Sequence, residues 1–223
     1  MTITYHPELI QGSDEWMDAR RGLITAGSMD LVLTPTLKLA SNEKERTHLY
    51  ELLAQRVTGY TEPQYIGDDM LRGLEDEVYA KQLYSEKYAP VQDIGLVTSD
   101  DLGFMIGFSP DGLVGDTGFV EIKSRRQKYQ AQTIIENEVP TEFMLQIQTG
   151  LLVTQRAWCD FISYCGGMPM FVKRVYPDDV YQLAIRHAST AFDERLRAAE
   201  EKYRMAIVGM HPTERVVRED ISV

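Results

Sequence analysis

The chain has only two cysteines, Cys159 and Cys165, and four scattered histidines, His6, His48, His187 and His211. No cysteine pair has CxxC form and no histidines stand at zinc-ligand spacing, so a structural zinc is not expected. Both thiols are expected to be reduced, as in a cytoplasmic protein. Long apolar runs are also missing: each is broken by charge well short of the roughly 18 to 20 residues that a spanning helix needs. Met1 to Asp14 has no basic stretch followed by an apolar one, so neither a membrane partner nor a secretory leader is expected. There is no Gly-rich loop ending in Lys-Ser/Thr and no GxGxxG, which excludes the usual phosphate grips of ATP motors and dinucleotide enzymes. Repeats, Gly/Ser linkers and long single-sign runs are absent, so 1–223 reads as a single domain.

Positive charge is the other scarcity. The 23 Lys and Arg against 34 Asp and Glu give a net charge of −11, the wrong sign for a protein that coats nucleic acid with a basic face. An enzyme that meets phosphates inside a locally basic cleft remains open, because the field there is set by groups within a screening length of about 10 Å. At 43% hydrophobic and 26% charged residues, 223 residues can build one elaborated soluble core without a metal or a disulfide.

The front third reads as helical. Ser13 to Arg20 predicts a short helix with a serine cap, and Ser28 to Leu33 a second. Asn42 to Val57 carries Leu49, Leu52, Leu53 and Val57 at the helical repeat, with Asn42 and Glu45 spaced as a capping box and Gly59 as the stop. Met70 to Tyr88, closed by Pro90, is expected to turn Leu71, Leu74, Val78, Leu83 and Tyr84 inward, and Glu75, Asp76, Glu77, Lys81 and Lys87 mostly outward. The pattern then shortens to strands of one sheet at Val91 to Thr98, Phe104 to Phe108, Gly112 to Val114 and Phe119 to Lys123. Helices at Tyr129 to Asn137 and Thr141 to Val153, strands at Ala157 to Tyr164 and Met170 to Tyr176, and a long terminal helix complete the chain. This order implies a layered α/β domain whose central mixed sheet is flanked by helices.

Chemistry concentrates at Ser109-Pro110-Asp111-Gly112 and Glu121-Ile122-Lys123. Strand residues two apart share a face, so Glu121 and Lys123 project together while Ile122 enters the core. Gly115-Asp116-Thr117-Gly118 is a natural hairpin connection. A symmetric two- or four-residue turn would leave Asp111 opposite Ile122, on the wrong face, so a bulge at Pro110-Asp111-Gly112 is expected to correct the register. Asp111 and Glu121 offer hard oxygen ligands for Mg²⁺, the Ile122 carbonyl a further one, and Lys123 a cation to orient an attacking water, which is the logic of a metal-dependent nuclease. A Glu-x-Lys triplet is weak alone, since Glu200-Glu201-Lys202 also satisfies it. Glu77 offers a third carboxylate or is an ordinary helix acid. Gln146, amid apolar neighbours, serves the site or is a satisfied core amide.

The ordered set Trp16 with Arg20-Arg21-Gly22-Leu23-Ile24-Thr25-Ala26, Gly73 to Glu77, Ser109-Pro110-Asp111-Gly112-Leu113, Glu121-Ile122-Lys123 and Gln146-Ile147-Gln148 resembles the phage lambda exonuclease, or YqaJ-type viral recombinase, family over Trp16 to Trp158. The resemblance implies a restriction-endonuclease-like core and Mg²⁺-dependent 5′-to-3′ digestion of one strand of duplex DNA to mononucleotides, with two ions likewise implied and Mn²⁺ able to substitute. It implies duplex ends with a 5′-phosphate as substrate, a single-strand annealing protein as partner for the 3′ overhang, and a trimeric ring. By matching position, Glu77, Asp111 and Glu121 with the Ile122 carbonyl would hold metal, and Lys123 and Gln146 would serve the attacking water. Arg20 and Ser109 would hold the 5′-phosphate, where a guanidinium can fork two donors toward a dianion. The family has a serine directly after Thr-Ala; here Gly27 intervenes, so either the hydroxyl shifts by one residue to Ser28 or a backbone donor replaces it. Met70 matches an apolar wedge that splits the terminal base pair, or else is a helix-start core residue. Rival readings are an endonuclease or single-strand repair nuclease on the same core, and a decayed module that only recruits an annealing protein.

Overall fold

The computed structural model describes residues 2–63 and 67–215, so Met1 and 216–223, at the ends of the expected domain, lie outside the described residues. In chain order the elements are β1 (Ile3–His6), α1 (Asp14–Arg20), β2 (Ile24–Thr25), a 3-10 turn (Ala26–Ser28), α2 (Met29–Val32), α3 (Glu43–Thr58) and α4 (Asp68–Lys87). Then follow β3 (Leu96–Ser99), β4 (Ile106–Phe108), β5 (Gly112–Val114), β6 (Gly118–Ser124), α5 (Gln127–Glu136), α6 (Thr141–Thr154), β7 (Trp158–Tyr164), β8 (Phe171–Val175) and α7 (Asp179–Ala206). The expected helices are all present. β1 and β2 are additional, too short and too mixed in pattern to announce themselves.

Local chemistry explains the helix ends. The Ser13 side chain accepts from Trp16 N at 3.2 Å and starts α1. Asn42 Oδ1 accepts from Glu45 N at 3.0 Å, and α3 stops at Gly59 with φ +63°. Only half of the capping box forms, because the Glu45 carboxylate is buried and pairs with Arg195 of α7 instead of returning to the cap.

The strands divide into two four-stranded mixed sheets, β1-β3-β4-β2 and β5-β6-β7-β8, rather than the one sheet expected. The break falls at Ser109-Pro110-Asp111, between β4 and β5, where Pro110 has no N–H to continue a ladder. Mixed sheets flanked by helices are otherwise the architecture that the sequence implies. A large core joins Ile24, Phe108, Phe119, Ile147, Phe161 and Phe192 around α6. A smaller one packs Ala80 and Tyr84 of α4 on Val114, Val120, Ile122 and Ile162. β6 is thereby covered on both faces, with Phe119 in one cluster and Val120 and Ile122 in the other.

α4 meets the expected orientation at Tyr84 but not at Leu71, Leu74 and Val78. Leu71, Leu74 and Val78 are 50%, 58% and 64% exposed, whereas Ala80 and Tyr84 are buried and Asp76 bonds to Ser124 of β6. The helix packs through a small residue and a tyrosine beside polar anchors, which its apolar periodicity alone does not reveal. Two such anchors flank Glu77: Asp76 on Ser124 on one side, and on the other Tyr84, whose hydroxyl donates to Asp160 Oδ2 at 2.6 Å. Arg174 grips the same Asp160 at 2.8 and 2.9 Å while stacking 3.6 Å over Trp158.

Candidate active site

β5 and β6 pair with Gly112 opposite Val120, Leu113 opposite Phe119 and Val114 opposite Gly118. One further pair along the same register sets Asp111 across from Glu121, on the face that carries Lys123. The odd register arises in the connection, not from a bulge at Pro110-Asp111-Gly112. Gly118 belongs to the strand, so the loop is the three residues Gly115-Asp116-Thr117, with Gly115 at φ +50°. Gly118 is required there, since a Cβ would lie 2.2 Å from the Trp158 ring.

The site grows from this hairpin. Glu121 is 1% exposed, and its Oε1 lies 2.7 Å from Lys123 Nζ. Lys123 Nζ also donates to Gln146 Oε1 of α6 at 3.1 Å, so the amide amid apolar neighbours finds its partner in the lysine. Asp111 Oδ2 accepts from Ile122 N at 2.5 Å, which ties the turn to the main chain between Glu121 and Lys123. Burial of its carboxyl, followed by the charges of Glu121 and Glu77, pushes Asp111 well above the ordinary carboxylate range. Burial likewise raises Glu121, although Lys123 opposes it. Burial works against the Lys123 ammonium, but Glu121 and Asp111 outweigh it and hold the lysine above its usual range.

Glu77 stands nearby, close enough for its charge to act on Asp111, Glu121 and Lys123, but its Oε1 is held 3.4 Å from Lys81 Nζ. Lys81 in turn bonds Asp93 Oδ1 at 2.9 Å. Among the described residues no three His, Cys, Asp or Glu side chains form a ready-made metal cage. The donor set nevertheless fits a hard divalent cation. Glu121 Oε2 is buried with no hydrogen-bond partner among the described residues, and two adjacent carboxyls are each raised by burial. A proton or a metal is what such oxygens lack.

Two residues before Asp111, Ser109 meets a cation. Arg20 Nη1 donates to Ser109 Oγ at 3.0 Å, and the guanidinium stacks 4.1 Å over Trp16. Burial pushes Arg20 down to about 10, which leaves it cationic at neutral pH. Ser28 does not join this pair: its hydroxyl donates to Thr25 O at 3.1 Å and lies 3.3 Å from Thr25 Oγ1. The 3-10 turn spends that hydroxyl on its own start, and at Gly27 an added Cβ would meet open space. Met70 is 52% exposed at the start of α4 and is not a core residue. Cys159 and Cys165 are free and buried, and no helix of the described residues is long and apolar enough to cross a membrane.

The YqaJ-like viral recombinase domain matches residues 15–157, more than half of the chain and all of the elements that build this corner. The chain belongs to that family. Among solved structures it is similar to the alkaline exonuclease LHK-Exo from Laribacter hongkongensis, with 32% identity, a TM-score of 0.79, and coverage of 89% of this chain and 100% of that one. The same enzyme in complex with dAMP matches equally. A phage-related exonuclease from Haemophilus somnus 129PT, at 12% identity and TM-score 0.53 over 85% of this chain and 96% of its own, shares the fold. No curated protein sequence matches the chain.

Within this family architecture, some supporting residues give no sequence signal. Lys81, which restrains Glu77, reads as one more helix charge. Asp160 and Arg174 read as strand polars, and only the buried partners Tyr84 and Trp158 explain them. Trp16 stands in a matching block, yet nothing in the sequence says that its indole N–H reaches Ser109 at 3.0 Å.

Proposed function

We propose that this chain, a nuclease of the lambda exonuclease type, is a Mg²⁺-dependent exonuclease that digests the 5′-ended strand of linear duplex DNA in the 5′-to-3′ direction. It would release mononucleotides and leave a 3′ overhang for a single-strand annealing protein. The observation that carries this reading is the short tie between the two corners: Ser109, bonded to Arg20, is two residues from Asp111, bonded to the amide between Glu121 and Lys123. Two residues of chain span at most about 7 Å, within the step between neighbouring phosphates on one strand. A terminal phosphate seated on Arg20 and Ser109 would thus set the next phosphodiester at the acids, which measures one nucleotide from an end.

In this reading Glu77, Asp111 and Glu121, with the Ile122 carbonyl, hold two Mg²⁺ ions, and Mn²⁺ is able to substitute. When bound, the metal neutralises charge on the phosphodiester and activates water. Lys123 donates a hydrogen bond to the attacking water or to a phosphate oxygen, and Gln146 fixes the direction of its ammonium. Glu77 must leave Lys81 to join, a side-chain motion within one helical turn. Met70, exposed at the start of α4, serves as the wedge at the terminal base pair. The assembly expected is a trimeric ring around DNA, in the cytoplasm of the cell where the recombination runs.

The test is digestion of 5′-phosphorylated linear duplex, 5′-hydroxyl linear duplex and closed circles with Mg²⁺, by the wild type and by Asp111→Ala, Glu121→Ala and Lys123→Ala. The linear phosphorylated substrate should be degraded fastest and the circles left intact, with each variant slower by at least about 100-fold. Cut circles would replace the reading with an endonuclease. An inert wild type would leave only a module that recruits a partner. Sizing of the protein alone and with a DNA end tests the ring.

A further inference from the structure

We propose that the indole N–H of Trp16 fixes the hydrogen-bond polarity of Ser109, making this serine a donor-only group toward the 5′-phosphate, so that Trp16 is a specificity-determining positioning residue for phosphorylated ends. The inference rests on the proposed role of Arg20 and Ser109 at the terminal phosphate.

A serine hydroxyl has one hydrogen and two acceptor lone pairs. Ser109 Oγ receives a hydrogen bond from Trp16 Nε1 at 3.0 Å and another from Arg20 Nη1 at 3.0 Å, so both acceptor positions are taken. What remains is its own O–H, and among the described residues no acceptor takes that hydrogen. It is directed away from two donors, toward whatever anion the corner receives. The two donors are held in concert. Trp16 and Arg20 are four residues apart on α1, on one face of the helix, and the guanidinium lies 4.1 Å over the indole.

The frame behind the indole is equally constrained. The single indole hydrogen is shared in a three-centre bond, since Trp16 Nε1 also donates to Gly95 O at 2.9 Å, and residue 95 cannot carry a side chain, since a Cβ there would lie 2.2 Å from Leu9 O. Gln11 Nε2 bonds Ile94 O at 3.2 Å and Pro110 O at 2.8 Å, which pins the chain before Gly95 and after Ser109. The corner is thus preorganised, with its donors aimed before the ligand arrives. A 5′-phosphate presents only acceptors to it. A 5′-hydroxyl brings a hydrogen of its own to a corner whose acceptors are already spent, and it carries no charge for Arg20. A site built around polar groups rejects an analogue that leaves them unmatched.

The experiment compares kcat/KM, and equilibrium binding in chelator, for linear duplexes ending in 5′-phosphate or 5′-hydroxyl. The proteins are the wild type, Trp16→Phe, Ser109→Ala and the double variant. Trp16→Phe keeps a ring beneath Arg20 and removes the N–H shared by Ser109 and Gly95 O, along with part of the indole's area. It should reduce the preference for phosphorylated ends about 10-fold, the worth of one hydrogen bond to a charged group, and do so through KM more than kcat. In the Ser109→Ala background the same change should reduce it no further, a non-additivity that a purely structural tryptophan would not produce. If Trp16→Phe melts far below the wild type, 3-benzothienylalanine at position 16, the same shape without the N–H, takes its place. Should Ser109→Ala lose the preference while Trp16→Phe keeps it, or the two losses add, the role of Trp16 is overturned and the phosphate corner stands. A wild type with no preference between the two ends overturns the phosphate corner itself.

Discussion

Asp111→Asn separates what the site needs for folding from what it needs for chemistry. The hairpin register, carried one pair beyond Gly112 and Val120, sets Asp111 across from Glu121; the bond Asp111 receives comes from the Ile122 amide, whereas Lys123 pairs with Glu121. Two like charges at a cross-strand separation of about 5 Å, in an effective dielectric of about 20, repel by about 3 kcal/mol. Attraction to Lys123 offsets part of this, so removing the charge should return about 1 to 2 kcal/mol, while asparagine still accepts from Ile122. In chelator near pH 8 the variant should melt about 2 to 6 °C above the wild type, and its activity should fall by at least about 1,000-fold.

The pH dependence has a definite sign. Burial first, then neighbouring charge, raises Asp111 and burial raises Glu121 above ordinary values of 3.8 and 4.5. The folded state therefore keeps protons that the unfolded chain releases. Without metal, stability is greatest at low pH with respect to these groups, and falls as pH climbs from those ordinary values through the raised folded ones. Mg²⁺ should restore it on the alkaline side, and Asp111→Asn should flatten both the pH slope and the Mg²⁺ effect. Calorimetric melting from about pH 5 to about pH 9, with chelator and with Mg²⁺, reads all three. The reasoning fails if the variant melts below the wild type in chelator, or if Mg²⁺ stabilises it as much as the wild type.

Lys123→Met should act in the opposite sense on stability, stranding Glu121 as a buried unpaired charge at a cost of about 3 to 5 kcal/mol in chelator; a melting temperature equal to the wild type's would contradict the ion pair. Tyr84→Phe removes a bond to a buried carboxylate and should cost about 1.5 to 3 kcal/mol. Because Tyr84 lies two helical turns from Glu77 on the same face, the Mg²⁺ concentration for half-maximal activity should also rise several-fold with kcat at saturation kept, which a Mg²⁺ titration would show. Gly118→Ala places a Cβ 2.2 Å from a Trp158 ring that Arg174 holds from above. Denaturant unfolding should register a loss of more than about 2 kcal/mol, and a neutral result would mean that the ring swings freely.

Much of this site was legible because its logic is local. Glu121 and Lys123 share a strand face by alternation, and Ser109 to Gly112 punctuates the preceding strand, so the pairing of Asp111 with Glu121 follows once the loop has an odd length. The sequence does not say where the odd residue sits, since Gly118 reads equally as the last turn residue or the first of the strand. Only Trp158, brought from β7, decides it. The helix carrying Glu77 misleads for a related reason. Leu71, Leu74 and Val78 form an apolar stripe, but α4 is positioned by Ala80, by Tyr84 on Asp160 and by Asp76 on Ser124, partners about 50 to 75 residues away in the chain. The division into two sheets falls at Ser109-Pro110-Asp111, where Pro110 has no N–H to offer a ladder. At Ser28 the hydroxyl beyond the inserted Gly27 bonds Thr25 O, a local contact that the sequence does not announce.

An acidic chain and a phosphate substrate are reconciled by where the charges stand. From Tyr88 to Ile122 there are six acids and no Lys or Arg, and the next six residues, Lys123 to Lys128, have four basic side chains and no acid. The boundary falls inside β6. Three of the positive groups hold to aromatic rings: Lys123 is 5.5 Å over Phe143, Arg125 is 5.0 Å over both Phe143 and Tyr129, and Lys128 is 4.6 Å over Tyr129. On the other side of the boundary, the carboxylates of Glu77, Asp111 and Glu121 against the Lys123 ammonium leave up to two negative charges, which repel a phosphodiester. With two divalent cations the same cluster becomes positive, and the basic run and Arg20 then act with it instead of against it. DNA and metal should therefore bind with positive coupling, and the free protein should have little affinity for nucleic acid in general. On the proposed reading, in which the enzyme releases each product and advances, the surplus of acid would prevent the broad adhesion that a basic surface imposes.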